Sequence, residues 1–332
     1  MGAPGTEHGK AGREMSQRFS IIIPTHNRLQ TLRTVLAALE RQDSPELLAE
    51  VIVVDDGSTD GTADGVRELA TPFPLKLLEG RRGGPAAARN AGIEAASGRD
   101  VIFLCDDIEP TPELLRKHHE RRRGVDEPHC VVGRVDWAPH LQVTHFMRFI
   151  MEHYHFGFEG FEGREELPFD GFITANLSIE RELLVEAGGF DEGFSYGFED
   201  TDLGLRMTQT GLHILYAPAA LGLHHHQVTL ASYCRRQEAV GRSAVHFARK
   251  HADRPEVTGI HRMPRRGSPR WLVKGLLLNR ATIHRWRCIA TLVDQMGLHS
   301  AAELLYFQIL SYYYYRGMSA GLRDSQARGE SR

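Results

Sequence analysis

Two adjacent carboxylates, Asp106 and Asp107, follow directly after an apolar run, Val101–Leu104. The run predicts a short buried strand, and ligands of open α/β sheets bind just beyond the carboxyl ends of such strands. Neighbouring carboxylates repel each other, so a compensating charge is expected. Their hard oxygen atoms suit Mg²⁺ or Mn²⁺ with a bound diphosphate. Alternatively, both acids only cap the next helix or form an Asx turn.

A second group of acids occurs in the other half of the chain, where Glu199, Asp200 and Asp202 open a predicted helix after the segment GFDEGFSYGF. Acids at a helix N-terminus are stabilised by the helix dipole, which explains one or two of them but not the whole segment. Three histidines, His224–His226, follow a predicted strand 24 residues after Asp200. They form either a metal-binding group or a solvated surface turn.

The elements around these residues alternate between strand and helix. Strands are predicted at Phe19–Ile23, Glu50–Val54, Pro74–Leu78 and Val101–Leu104, and helices from Leu29 to near Gln42, up to about Ala70, and within Gly83–Gly98. This alternation predicts right-handed βαβ units on a parallel sheet. The polar clusters PTHN, DDGS and CDD then fall at one sheet edge and form one site. Neither GxGxxG after a strand nor GxxxxGK[ST] occurs, so nucleotide binding would depend on side chains at the strand ends.

Four motifs in this order, FSIIIPTHNR, EVIVVDDGSTDGT, GGPAAARNAGI and FLCDDIEP, resemble the nucleotide-sugar half of family 2 glycosyltransferases. The resemblance covers roughly Phe19–His226. It implies an α/β fold of the GT-A (Rossmann-like) type, with a mixed, mainly parallel sheet flanked by helices. The family's carboxylate motif often reads DDD, and Cys105 stands at its first position here.

The resemblance also implies roles for individual residues. Asp200 would be the catalytic base, Glu199 would position the acceptor, and Asp107 with His224 (His226 as the fallback) would hold Mn²⁺ or Mg²⁺. The PTHN segment and Asp56 would hold the base, Arg89 would lie near the diphosphate or ribose, and Asp106 would contact the ribose or sugar. The implied nucleotide-sugar residues are Pro24, Thr25, Asn27, Arg28, Asp56, Ser58, Gly84, Arg89 and Asp106. The acceptor-side residues are Asn176, Asp191 and Phe198. For Arg89, a salt bridge on a surface helix is the alternative.

The rest of the chain predicts further elements and the domain boundaries. Helices are expected at Thr111–Arg123, Glu180–Ala187, Leu230–Arg249, Trp271–Leu278, Ile283–Leu298 and Ala301–Met318. Strands are expected at Cys130–Val135, around Asn176 and within Ile214–His226, and a variable acceptor-side loop with some helix at Leu141–Glu166. The predicted domains are a disordered tail (1–18), a catalytic domain (19–228, with halves 19–110 and 111–228), a helical C-terminal extension (229–322) and a polar tail (323–332). The four tyrosines Tyr312–Tyr315 favour packing on the catalytic domain or dimerisation.

Composition narrows the function classes. The 332-residue chain has a net charge of −3, which argues against nucleic-acid binding. Its four cysteines form no CxxC pair, and neither a secretory signal nor an apolar run of membrane-spanning length is evident. A cytoplasmic location is therefore expected, with possible peripheral contact with the inner face of the membrane.

The sequence as a whole predicts a metal-dependent, inverting glycosyltransferase. By the resemblance, the donor would be a UDP-, GDP- or dTDP-sugar and the acceptor a hydroxyl of a sugar, a lipid-linked precursor or a protein. Homodimerisation through the C-terminal helices is a further possibility. Two alternatives remain: a nucleotidyltransferase, which also places acids at the ends of a similar sheet, and a non-catalytic nucleotide-sugar-binding module.

Overall fold

A computed structural model describes residues 18–80, 82–155, 158–262 and 279–327. The predicted tail at 1–18, apart from Arg18, and the predicted helix at Trp271–Leu278 lie outside these residues. The chain forms two compact units. Within the described residues, the first comprises 18–141, 158–192 and 199–226, and the second comprises 142–155, 193–198, 227–262 and 279–327.

The first unit is built on one mixed sheet. Its strands among the described residues are β1 (Phe19–Thr25), β2 (Leu48–Asp55), β3 (Leu75–Glu79), β4 (Asp100–Leu104), β5 (Ile108–Pro110), β6 (His129–Trp137), β7 (Glu166–Leu167), β8 (Asn176–Glu180) and β9 (His213–His224). They are ordered β3-β2-β1-β4-β8-β6-β9-β5, and β7 also pairs with β9. The predicted mixed GT-A-type sheet is thus confirmed.

Strands β1 to β4 form the parallel half of the sheet, as their apolar runs predict. Between them lie the helices α1 (Leu29–Leu39), α2 (Thr62–Arg67) and α3 (Gly84–Ala95). Helix α1 buries Leu32, Val35, Leu36 and Leu39, whose helical spacing places them on one face. Because β1, β2 and β4 run in the same direction, the turns that follow them lie at one edge of the sheet.

Antiparallel pairing begins at β8, which lies against β4 with Leu104 opposite Asn176. Strand β8 also pairs antiparallel with β6, whereas β6 and β9 are parallel. Helices α4 (Leu114–Arg122), α6 (Arg181–Glu186) and α7 (Glu199–Gln209) and short 3₁₀ turns at Pro45–Leu47, Phe158–Phe161 and Phe169–Gly171 complete the unit. This reversal brings the end of β9, with His224, beside the turn that follows β4.

The second unit is helical, which confirms the predicted helical C-terminal region. It contains α5 (His145–Ile150) continued by a π-turn (Met151–His155), α8 (Leu230–Lys250), α9 (Pro255–Thr258) followed by a 3₁₀ turn (Ile260–Arg262), α10 (Arg280–Gln295) and α11 (His299–Ala327). Helices α8 and α11 approach closely, since a Cβ on Gly241 would lie 2.1 Å from the carbonyl oxygen of Tyr314. In the described part of the chain, no helix is both long and apolar enough to cross a membrane.

Two predicted segments contain helix in the structure. The predicted polar tail from Arg323 begins within α11, which continues up to Ala327 and buries Ser325. The segment Leu141–Glu166, predicted as a loop with some helix, contains α5, whose Phe146 and Phe149 rings pack on Tyr306 of α11. Of the four tyrosines, Tyr314 donates a hydrogen bond to the carbonyl of Thr258, so it packs within its own unit. Dimerisation stays a prediction.

Candidate active site

The Asp106–Asp107 pair lies in the turn between β4 and β5, where burial leaves both residues less than a tenth exposed. Thr25 at the end of β1 donates a hydrogen bond to Asp106 Oδ2 at 2.7 Å. Arg28 Nη1 lies 3.2 Å from Asp106 Oδ1 and also donates to Asp107 Oδ2. His224 Nε2 lies 3.8 Å from the same Asp107 oxygen. Residues from three distant strands therefore meet at one point, as the sequence predicts.

The two carboxyl groups differ in their electrostatics. Burial, together with the charge of Asp107, raises the pKa of Asp106 to about 6, and Arg28 and Thr25 only partly offset this. Burial also acts to raise the pKa of Asp107, but His224 and Arg28 outweigh it and lower this pKa below its usual value. Asp107 is therefore the more acidic member of the pair, and Arg28 supplies the positive charge that it needs.

The donor set around Asp107 fits a divalent cation. A carboxylate and an imidazole nitrogen are ordinary ligands of Mn²⁺, and the carboxylate suits Mg²⁺. The backbone N–H of His226 lies 3.3 Å from His224 Nδ1, which orients the ring with Nε2 towards Asp107. Trp137 packs edge-on against the same ring at 5.0 Å. His224 is thus held in place, whereas His226 serves to orient it.

The turns after β1 and β2 are fastened to each other through Asn27. Its backbone N–H donates to Ser58 Oγ at 2.8 Å, and its side-chain oxygen accepts from the N–H of Thr59 at 2.7 Å. Asn27 has φ 53°, a left-handed conformation that asparagine tolerates better than most residues. Pro24, one residue before Thr25, lies in β1 opposite Val54. The two turns in which nucleotide binding is predicted are therefore joined by hydrogen bonds.

Asp56 has a structural partner that the sequence did not reveal. Its two carboxylate oxygens accept hydrogen bonds from the N–H groups of Gly83 and Gly84, at 2.7 and 2.9 Å. Gly84 has φ +83°, which L side chains rarely adopt, so a glycine suits this position. Asp56 thus holds the start of α3 and stays half-buried at the strand-end edge.

The second acid pair lies at the first turn of α7. Arg89 on α3 places Nη1 3.1 Å from Glu199 Oε1 and 3.7 Å from Asp200 Oδ1. Thr174 donates to Asp200 from its backbone N–H at 3.1 Å and from its hydroxyl at 2.8 Å. The Arg89 guanidinium also lies over the ring of Phe190, 5.4 Å from its centroid. Asp200 is thereby fixed in orientation by two donors.

Arg89 is buried beside the acid pair, because Glu199 and Asp200 need a counter-charge away from water. Its burial excludes the alternative of a salt bridge on a surface helix, whereas its place near the diphosphate or ribose stays a prediction. Arg89 Nε and Glu199 Oε2 are buried without a hydrogen-bond partner among the described residues. Unpaired buried polar atoms of this kind occur where a ligand or ordered water binds.

The surroundings of Asp200 raise the pKa of its carboxyl, although it lies at a helix N-terminus. Burial is the largest effect, and with the nearby charge of Glu199 it raises the pKa of Asp200 to about 6. Arg89 and the Thr174 hydrogen bonds act in the opposite direction without cancelling it. A carboxyl with this pKa accepts a proton near neutral pH far better than an ordinary aspartate does.

Cys105 lies between the two acid pairs. Burial raises the pKa of its thiol, and Asp107, Arg89, Asp106 and Asp200 all contribute to its electrostatic environment. The thiol is therefore neutral. A carboxylate at this position, as the family's DDD pattern has it, would add a third buried anion next to Asp106 and Asp107. The two acid pairs are thus parts of one site centred on the end of β4.

The predicted acceptor-side residues are not gathered at one place. Asn176 is buried in β8, where its amide bonds His118 at 2.9 Å and the carbonyls of Ala220 and Arg134 at 2.8 and 3.2 Å. These contacts give Asn176 a structural role, so we leave it out of the proposed acceptor site. Asp191 is half-buried in the loop before α7, within the first unit. Phe198 belongs to the second unit, where its ring packs on Phe247.

The structure has a mixed sheet with helices on its faces, and a buried carboxylate pair lies beyond a central parallel strand. This is the architecture of an α/β protein that binds its ligand at strand ends. Residues 20–152 match the family model described as glycosyl transferase family 2. In fold, the chain is similar to the mannosyltransferase PcManGT from Pyrobaculum calidifontis, a structure in complex with GDP-Man and Mn²⁺. The match has a TM-score of 0.61 at 21% identity and covers 92% of this chain and 87% of that one.

Two proteins are similar to this chain in sequence. The uncharacterized glycosyltransferase YfnE of Bacillus subtilis (strain 168) is 29% identical, over 59% of this chain and 61% of that protein. The validoxylamine A glucosyltransferase of Streptomyces hygroscopicus subsp. jinggangensis (strain 5008) is also 29% identical, over 62% of this chain and 54% of that protein. This chain therefore spans less than two thirds of the length of either relative.

Proposed function

We propose that this protein transfers a sugar from a nucleoside-diphosphate sugar to an acceptor hydroxyl, with inversion at the anomeric carbon. One observation carries the proposal: two buried acid pairs with different partners flank the neutral thiol of Cys105 at the end of β4. Asp106 and Asp107 face the cationic side chain of Arg28. Asp200 is a carboxyl that is fixed in orientation and has a pKa of about 6. A displacement at a sugar carbon needs this combination, a place for the leaving diphosphate and a base for the incoming hydroxyl.

The donor half of the site would be formed by residues after β1, β2 and β4. In our proposal, Thr25, Asn27 and Ser58 line the base and ribose pocket and Asp106 contacts the ribose or sugar. Arg28, which now neutralises the acid pair, is free to turn to the diphosphate when a cation replaces it. Asp107 and His224 would hold Mn²⁺ or Mg²⁺, which neutralises the charge that develops on the leaving diphosphate.

The acceptor half would depend on Asp200. Asp200 removes the proton from the acceptor hydroxyl as the acceptor oxygen bonds to the anomeric carbon. The bond from that carbon to the diphosphate breaks, and the nucleoside diphosphate leaves with its electron pair. Glu199 and Arg89 would position the acceptor, since each has a buried polar atom without a partner in the described residues. Because this is a single displacement, the anomeric configuration inverts.

A thermal-shift panel tests the donor half of the proposal. The full chain is mixed with UDP-, GDP- and dTDP-sugars, with and without Mn²⁺, the ion present in the mannosyltransferase of similar fold. We expect one donor to raise the melting temperature in a metal-dependent way, since ligand at about 100 times its dissociation constant stabilises by about 2.7 kcal/mol. No shift with any donor would contradict the proposal.

Turnover then separates the remaining function classes. Sugar, lipid-linked and protein acceptors are incubated with the preferred donor, and the released nucleoside diphosphate is measured. A nucleotidyltransferase acting on the same donor would transfer the nucleoside monophosphate and release a sugar 1-phosphate instead. A binding module would release neither product with any acceptor. Release of a nucleoside diphosphate by the wild type, but not by Asp200→Asn, supports the transferase.

A further inference from the structure

Two histidines and two carboxylates converge within the second unit, at a place to which the proposed reaction gives no role. His145 is the first residue of α5, Asp294 lies near the end of α10, and His299 and Glu303 lie in the first turns of α11. One ligand atom from each of His145, Asp294 and His299 lies within 4.8 Å of the others. Three helices that are separate in sequence thus contribute to one cluster.

The distances between ligand atoms in this cluster are close to those of a metal site. His299 Nδ1 lies 3.1 Å from Asp294 Oδ1, and His145 Nε2 lies 3.1 Å from Glu303 Oε1. In a tetrahedral site with metal–nitrogen bonds of about 2.0 Å, neighbouring ligand atoms are about 3.3 Å apart. His145 Nε2 is buried, and among the described residues it makes no hydrogen bond of acceptable geometry, although Glu303 is near.

The arrangement of the two rings also favours a metal over simple ion pairs. The rings of His145 and His299 are 4.1 Å apart between centroids and tilted by 32°. Imidazole nitrogens from both rings therefore lie within reach of one ion. Exposed ion pairs between histidine and carboxylate would by themselves contribute little. A divalent cation satisfies both rings and both acids at once.

The surrounding structure holds the ligands in position. The turn between α10 and α11 is fixed by Gly297, at φ 75°, and by a hydrogen bond from the N–H of Leu298 to the carbonyl of Val293. Tyr306, almost completely buried, hydrogen-bonds Asp294, and the Phe146 ring packs on Tyr306 at 4.9 Å. Hydrogen bonds to metal-ligating carboxylates of this kind orient the ligands of known sites.

We propose that His145, Asp294 and His299 bind a structural Zn²⁺ ion that fastens α5 to the corner between α10 and α11, with Glu303 or water in the fourth position. Imidazole nitrogens and carboxylate oxygens in a four-coordinate arrangement suit Zn²⁺ better than Mg²⁺ or Ca²⁺. This site is separate from Asp107 and His224, and it requires neither donor nor turnover.

Metal analysis of the whole chain tests the site. Wild-type protein is stripped with a chelator, dialysed against Zn²⁺, and its bound zinc is measured by mass spectrometry. The same is done for His299→Ala and for a matched control, His284→Ala, an exposed histidine on α10 outside the cluster. We expect wild type and His284→Ala to retain one more zinc per chain than His299→Ala. The zinc affinity of His299→Ala should be lower by more than about a hundredfold, because a direct ligand has been removed.

A second measurement distinguishes the loss of a metal ligand from poor folding of the variant. Adding Zn²⁺ should raise the melting temperature of the stripped wild type and of His284→Ala, and leave that of His299→Ala unchanged. When the stripped proteins are loaded with Co²⁺, the wild type should show the visible absorption bands of tetrahedral coordination, and His299→Ala should not. Equal zinc content in wild type and His299→Ala, or no zinc-dependent shift in the wild type, would overturn the proposal.

Discussion

The guanidinium of Arg89 lies 3.1 Å from a carboxylate oxygen of Glu199, a residue 110 positions further along the chain. This contact joins α3, which begins beside the nucleotide-side turns, to α7, which carries the proposed base. Both side chains are buried, so the charge of each one is compensated by the other. The electrostatics of Asp200 therefore depend on a residue from the other half of the sheet.

Replacing Arg89 should change the pH dependence of the reaction. Arg89 is the main influence that lowers the pKa of Asp200, so Arg89→Ala should raise that pKa above about 6. The acidic limb of kcat against pH would move to higher pH, because the base must be deprotonated. Steady-state rates from pH 5 to 9 measure this. Arg89→Lys keeps the charge and should shift the limb less. A profile identical to wild type in Arg89→Ala would show that Asp200 is not the titrating base.

Substitution of Asp200 by asparagine should abolish base catalysis while leaving donor binding intact. Asparagine keeps an oxygen that can accept from Thr174 but cannot take a proton. We expect kcat to fall by about a hundredfold or more, with an unchanged donor dissociation constant. Quench-flow or product-release rates and isothermal titration measure the two quantities. Normal turnover in this variant would assign the base to Glu199 or Asp191 instead.

The same variant should be more stable than wild type at neutral pH. The pKa of Asp200 is raised from 3.8 to about 6 in the folded protein, so folding holds its proton more tightly. Its contribution to stability is complete below about pH 4 and is lost as the pH rises to about 6. Asp200→Asn should therefore gain on the order of 1–3 kcal/mol at pH 7 and nothing at pH 4. Urea unfolding across this range measures it, with Asp64→Asn, an exposed acid, as the control.

Removal of Asp107 should eliminate the metal dependence of donor binding. Asp107→Ala leaves His224 alone as a predicted ligand and frees Arg28 from its main partner. We expect titration with Mn²⁺ and the preferred donor to show no metal-dependent gain in a variant that stays folded. Its melting temperature without ligand should fall, because Arg28 loses a buried partner. Asp43→Ala, which removes a surface acid paired with Arg116, serves as the control. Undiminished Mn²⁺-dependent binding would make Asp107 structural.

Asp56→Ala tests the base-binding role against the structural role seen here. If Asp56 also binds the base, the variant should lose roughly 1–3 kcal/mol of affinity for the free nucleoside diphosphate. If Asp56 only holds Gly83 and Gly84, the melting temperature should fall while the nucleotide affinity changes less than that. Calorimetric titration and thermal unfolding of the same sample distinguish these results.

The sequence predicted those parts of the site that depend on local pattern. Thr25, Arg28 and Asp106 meet because each follows an apolar run, and parallel strands carry their following turns to one edge of the sheet. The helix that begins at Glu199 and Asp200 is confirmed for the same reason, since its acids and its apolar spacing both occur within one segment.

Local sequence patterns did not predict contacts between residues that are far apart in the chain. The Asn176 amide is occupied by carbonyls of β6 and β9, a consequence of the antiparallel insertion of β8 that no motif marks. The ion pairs of Arg89 with Glu199 and Asp200 were not predicted, because these partners lie on another helix. The cluster of His145, Asp294 and His299 was missed, although the spacing of His299 and Glu303, four residues apart on one helix face, was a usable signal.

The insertion of β8 between β4 and β6 has a consequence for synthesis of the protein. Strand β4 has β1 and β8 as its neighbours, and β8 begins 72 residues after β4 ends. At roughly 5–20 residues per second, a ribosome needs about 4–15 s to add them. During that interval β4, an apolar strand, has one edge without its partner, and such edges recruit other chains. The strand that leads to Asp106 and Asp107 therefore needs protection from mispairing while the chain is being made.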